Sequence, residues 1–192
     1  DEAIQVFDKV LEMESDNSSA LYNKGLVLGN LGRNEESTSC IDKSIETKYN
    51  NSLNLYADGN ELKRLGKYDE ALSFYTKALE SNPNNVHALI AKGFVLDLLG
   101  VPPKGVTLFF DKALQIDPNN VESHLHKGFL YNRIGKYQEA IACYDKALEI
   151  EHDNVRALYS KGVALHFLKK YEEAISYCNK ALEINPRHVK TL

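Results

Sequence analysis

The chain has 192 residues, with 23 basic against 27 acidic side chains and a formal charge of −4. That balance argues against a nucleic-acid-binding face, which is normally basic, and no apolar run is long enough to cross a bilayer. With 43% apolar and 26% charged residues a folded core is expected, and three cysteines without a CxxC pair outline neither a zinc site nor a disulfide framework.

Residues 1–15 read as a single helix that begins in mid-pattern and without Met, so the chain is expected to be a fragment of a longer protein. Five similar units follow, at residues 18–51, 52–85, 86–120, 121–154 and 155–188, and residues 189–192 open a further helix. Gly25, Gly59, Gly93, Gly128 and Gly162 set the period, with separations of 34, 34, 35 and 34 residues. A fixed period in this range means stacked supersecondary units.

Each unit is expected to hold a helix A and a helix B. Asn17, Asn51, Asn85, Asn120 and Asn154 stand where a side-chain oxygen caps the first turn of helix A. Gly32, Gly66, Gly100 and Gly135, with Lys169 in the last unit, stand where a left-handed residue ends it. Helix A is thus predicted over 86–99, for example, and helix B over 68–81, with Pro83, Pro118 and Pro186 stopping helix B. Leu89, Leu96 and Leu99 and their counterparts give helix A one apolar face. A glycine in mid-helix costs about 1 kcal/mol against alanine. Close approach of helix B, through small residues such as Ala71 and Ala78, is the expected offset.

Two units are irregular. The first has Ser37 and Ser44 where alanines recur, Asn34 for Tyr and Tyr49 for Pro. The third carries an extra residue between Gly100 and Gly105, where proline suits the first turn of helix B.

The 34-residue unit, with its Leu-Gly pair, Tyr, small residue and closing Pro, resembles the tetratricopeptide repeat over the whole chain. Lysine replaces the usual leucine before the mid-helix glycine, at Lys24, Lys92, Lys127 and Lys161, and Asp58 stands there in the second unit. The resemblance implies an all-α solenoid of antiparallel helix–turn–helix repeats wound as a right-handed superhelix. It also implies a concave groove lined by two columns of helix A: Tyr22, Tyr56, Ile90, Leu125 and Tyr159, and Leu26, Asn60, Phe94, Phe129 and Val163. An apolar groove of this kind binds a protein or peptide segment with apolar anchors and performs no catalysis. The family's carboxylate clamp is incomplete here: Asn60 fills one place, and Tyr56, Ala57 and Ala91 do not supply the others. The asparagine ladder of sugar-transferase arrays is missing, since that column reads Asn23, Ala57, Ala91, His126 and Ser160.

The lysines pose a pairing question. Lys24, Lys92 and Lys127 are expected to pair with Asp42, Asp111 and Asp145 of their own units, with Lys161 beside Asn179 and Asp58 beside Thr76. No cofactor, metal or nucleophile motif is present: His124 and His126, two residues apart on a helix, point to different sides. The sequons at Asn17 and Asn50 are poor glycosylation candidates, Asn17 being a cap. Self-assembly through the uncovered terminal helices is the alternative function, and helical-repeat RNA binding is opposed by the acidic charge. The unpaired cysteines fit a reducing, cytoplasmic setting.

Overall fold

The computed structural model describes residues 2–186; the helix expected at 189–192 lies outside them. Helices α1 (Glu2–Met13), α2 (Ser18–Asn30), α3 (Asn34–Arg64), α4 (Tyr68–Ser81) and α5 (Val86–Leu98) are followed by α6 (Pro103–Ile116), α7 (Val121–Arg133), α8 (Tyr137–Ile150), α9 (Val155–Phe167) and α10 (Tyr171–Ile184). No strand occurs among the described residues. Each helix packs on its neighbours in the chain, and α3, α5, α7 and α9 also touch in succession, giving a helical-repeat solenoid.

The caps and stops follow the sequence pattern with one exception. Asn17, Asn85, Asn120 and Asn154 accept hydrogen bonds from Ala20, Ala88, Ser123 and Ala157 at the starts of α2, α5, α7 and α9. Gly66 sits at φ +74°, and Lys169, which has the same role after α9, is held at φ +62°. Pro103 opens α6, so the extra residue of that unit is absorbed before the helix begins.

Gly59, Gly93 and Gly128 make room for rings, and Gly25 and Gly162 for Ile41 and Cys178, not for the alanines. A Cβ on Gly59 would lie 2.6 Å from Tyr75, and one on Gly128 would run into Tyr144. Tyr75, Phe110 and Tyr144 are the largest fully buried side chains, at 0–1% exposure. The aromatic core contact thus requires the glycine, and the buried ring offsets its helical cost of about 1 kcal/mol with roughly 1.5–3 kcal/mol of transfer free energy.

The exception is α3. It runs unbroken for 31 residues, where a helix B, a turn and a helix A were expected. Asn51 lies inside the helix, where its amide donates to Ser81 Oγ at 3.1 Å instead of capping a helix. Lack of proline at Tyr49 permits this but does not compel it, because the chain turns between α1 and α2 at Ser15 and between α8 and α9 at His152. The interface that rewards the turn is what is missing. In α5, Ala88, Ala91 and Val95 are buried against the preceding unit, as are Ser123 and Leu130 in α7 and Ala157, Ser160 and Ala164 in α9. The same columns in α3 read Asn54, Ala57 and Glu61, all exposed. Folding back would bury an amide and a carboxylate without partners.

The lysine ladder explains the remaining column. Lys24 bonds Asp8 at 2.6 Å, Lys127 bonds Asp111 at 2.6 Å, and Lys161 bonds Asp145 and the Tyr177 hydroxyl. Lys92 donates to Thr76 at 2.8 Å. Asp8, Thr76, Asp111 and Asp145 each lie 16 residues before their lysine, on helix B of the preceding unit, and only Tyr177 belongs to the lysine's own unit, so the expected pairs Lys24–Asp42, Lys92–Asp111 and Lys127–Asp145 do not form. The physical reason is helical phase. The glycine faces its own helix B, and the lysine one residue earlier is turned by about 100° toward the previous one. In this register Asp58 would meet Asp42, a like-charge pair. The straight α3 holds the two about 24 Å apart along its axis.

Candidate peptide-binding groove

The helix A faces of α3, α5, α7 and α9 line up on one side, and a cleft of about 420 Å³ opens between them. Tyr56, Ile90 and Phe94 form its apolar wall, as their columns predict, and Ala91 adds to it. His126 supplies the far wall. Its ring stacks on Phe110 at 5.3 Å and meets the edge of Phe94 at 5.3 Å, so one imidazole bridges two units.

The cleft is rimmed by charge that the apolar columns did not reveal. The Lys63 ammonium lies 5.6 Å from the Phe94 ring centre. Arg156 bonds Glu122 at 2.7 Å and stands 5.5 Å from the Phe129 ring. Glu122 also lies 3.3 Å from His126. His126, and then Arg156, holds the Glu122 carboxyl down at about 2, well below its ordinary 4.5. Glu122 is therefore ionised and balances one cation, leaving one positive charge on this rim of an acidic protein. The signal was present in the sequence: His87, Glu122 and Arg156 each stand two residues after a capping asparagine. First-turn positions normally face solvent, which is why the column reads as unremarkable.

The other expected groove residues separate into different settings. Phe129 is half-buried against Tyr144 and His126 and supports the cleft wall. Leu125 has no exposed surface and packs with Ala140, Tyr144 and Ala157, so its side chain belongs to the core. Asn60 accepts a hydrogen bond from the Tyr75 hydroxyl at 2.9 Å. Tyr159 and Val163 line a second, more apolar cleft of about 410 Å³ with Phe167 and Ile175. Tyr22 and Leu26, each 44% exposed, sit on α2 beside the N-terminal half of α3. The unbroken α3 carries them away from Tyr56 and Phe94. A larger cleft of about 690 Å³ lies among α8, α9 and α10, and its Lys161 and Asp145 are already paired.

Family profiles described as tetratricopeptide or TPR repeats match residues 109–142, 130–168 and 155–188, and one described as the Psidin N-terminal TPR repeats region matches residues 1–95. The chain belongs to the tetratricopeptide-repeat family. Among solved structures, it is similar to the TPR protein YrrB, at 24% identity over 97% of this chain and 98% of that one, with a TM-score of 0.63. MamA of Desulfovibrio magneticus RS-1 is 20% identical over 88% of this chain and 95% of that one, with a TM-score of 0.63. The first TPR of Spaghetti (RPAP3) is 23% identical over 63% of this chain and 95% of that one, with a TM-score of 0.60. No curated protein sequence matches the chain. Among the described residues, no helix is long and apolar enough to cross a membrane and no group of three or more His, Cys, Asp or Glu side chains is placed to hold a metal ion.

Proposed function

We propose that this TPR array is a non-catalytic scaffold that binds a peptide segment in the cleft between α3, α5, α7 and α9. The observation that carries the reading is the pairing of an apolar wall, Tyr56, Ile90 and Phe94, with the rim cations Lys63 and Arg156. An apolar side chain of the peptide seats against Phe94 and His126, and a carboxylate beside it meets Lys63. The rim's excess positive charge favours an acidic peptide over a basic one. Two of the similar proteins are described in matching terms: YrrB as having an unusual peptide-binding site, and the RPAP3 domain as bound to the HSP90 peptide SRMEEVD.

Magnitudes set the scale of affinity. Burying one large apolar side chain is worth roughly 1.5–3 kcal/mol, and a micromolar complex needs about 8 kcal/mol. Several anchors and charge-assisted hydrogen bonds must therefore act together, which fits an extended segment rather than a single residue. The test is fluorescence anisotropy with three labelled peptides that share one aromatic anchor and carry glutamate, glutamine or lysine beside it. The glutamate peptide is expected to bind best and to weaken when Phe94 becomes Ala or Lys63 becomes Glu. Equal affinity for all three peptides, or indifference to Phe94→Ala, rejects the reading.

A further inference from the structure

Among the described residues, one helix-receiving face inside the stack, between its first and last helices, has no helix on it. In α1, α6 and α8 a bulky residue, an aspartate and a leucine recur in the same spacing: Phe7, Asp8 and Leu11; Phe110, Asp111 and Leu114; Tyr144, Asp145 and Leu148. Each of these faces is covered by the next helix, α2, α7 or α9, whose lysine bonds the aspartate. The N-terminal half of α3 repeats the pattern as Ile41, Asp42 and Ile45. Ile41 packs beside Gly25 of α2, but among the described residues no helix lies across Asp42 and Ile45, because α3 continues straight on. Ile45 is 60% exposed, where Leu11, Leu79, Leu114 and Leu148 are half-buried, and Tyr49 in the next turn is 52% exposed. Asp42 is exposed and is the only one of the four aspartates without a lysine among the described residues.

The two halves of the missing interface differ in chemistry. The covering positions are polar, at Asn54, Asp58 and Glu61. The receiving positions carry an aliphatic pair and a carboxylate. We infer that the face formed by Ile41, Asp42, Ile45 and Tyr49 docks an amphipathic helix of a partner chain that carries a lysine. The chain shows the chemistry of that helix three times over. Ala20, Lys24 and Val27, then Ser123, Lys127 and Leu130, then Ala157, Lys161 and Ala164 all read small-x3-Lys-x2-aliphatic or small. The small residue lets the helices approach, the lysine meets the aspartate, and the last residue covers Ile45. This surface is separate from the peptide cleft, so one chain has two sites with different preferences: an acidic segment at Phe94 and a lysine-bearing helix at Asp42.

The probe is a fluorescein-labelled peptide of residues 154–170, which contains α9 and Lys161, titrated into the whole chain. Binding is expected, with roughly a tenfold loss when Asp42 in the protein becomes Lys. A Lys161→Glu peptide is expected to bind the wild type roughly tenfold worse and to regain affinity on the Asp42→Lys protein. Ile45→Ser is expected to weaken both peptides, with helicity followed by circular dichroism in every variant. Three outcomes overturn the inference. One is no binding up to roughly 1 mM. Another is an affinity unchanged by Asp42→Lys, which is what exchange of the peptide with the resident α9 gives. The third is a dimer of the unliganded chain that Asp42→Lys dissociates in sedimentation, which assigns the face to a second copy instead.

Discussion

Restoring the lost interface is predicted to fold α3 back into a hairpin. The variant combines Tyr49→Pro, Asn54→Ala, Asp58→Lys and Glu61→Val, each substituting a residue type found in the same column of another unit. Proline inside the straight helix costs it about 3 kcal/mol. Burying the new valine in the hairpin contributes about 1.5 kcal/mol or more. The lysine introduced by Asp58→Lys pairs with Asp42, half exposed like Lys127–Asp111, and adds about 0–1 kcal/mol. The sum, about 5 kcal/mol, approaches the roughly 5.5 kcal/mol that inverts a two-state population from 1:99 to 99:1. Spin labels at Lys43 and Arg64, both exposed, report the change in a pulsed dipolar measurement. A straight helix holds these positions about 32 Å apart. Antiparallel helices packed 8–10 Å apart bring them to under roughly 20 Å. A variant that keeps the long distance refutes the claim that these columns decide the break, and a short distance in the wild type refutes the unbroken helix itself.

Three further outcomes follow from the same packing. Lys169→Gly relieves a left-handed conformation at φ +62° and is expected to stabilise the chain by about 1 kcal/mol, a rise in Tm of about 2–4 °C by calorimetry. Gly128→Ala gains about 1 kcal/mol of helix propensity but forces a methyl into the Tyr144 ring. Overpacking of about 1–3 kcal/mol is expected to outweigh it, so chemical denaturation should show a net loss. Glu122 is lowered from 4.5 to about 2, so its contribution is complete above pH 4.5 and fades as pH falls toward 2. Stability measured across that window is expected to fall less steeply in Glu122→Gln than in the wild type.

The repeat was legible because its signals are local. A capping asparagine and a left-handed glycine act within one turn, so Asn85 and Gly66 did what their spacing predicted. The lysine pairing was misread because its register depends on which neighbour covers which face. Lys127 sits one residue before Gly128, and only the packed helices show that Gly128 faces Tyr144 of its own unit while Lys127 faces Asp111 of the unit before. There burial works against the Lys127 charge, but Asp111 more than compensates and its pKa is raised. Lys92, which donates to the Thr76 hydroxyl and not to a carboxylate, is lowered by burial. The unbroken α3 was written in Tyr49, Asn54, Asp58 and Glu61, each of which looks like ordinary surface variation when its column is read alone. Their meaning is cooperative, since together they remove one interface. In the groove, the apolar columns located Tyr56, Ile90 and Phe94, and Arg156 was missed because it reaches the cleft from the next unit.

The most direct test of the scaffold reading places a photo-crosslinking amino acid at either of two positions in one unit: Ile90, in the cleft, and Leu108, 66% exposed on α6. With the protein in its own cells, adducts to a partner polypeptide are predicted at Ile90 and not at Leu108. Adducts at Leu108 with none at Ile90 contradict binding in the groove.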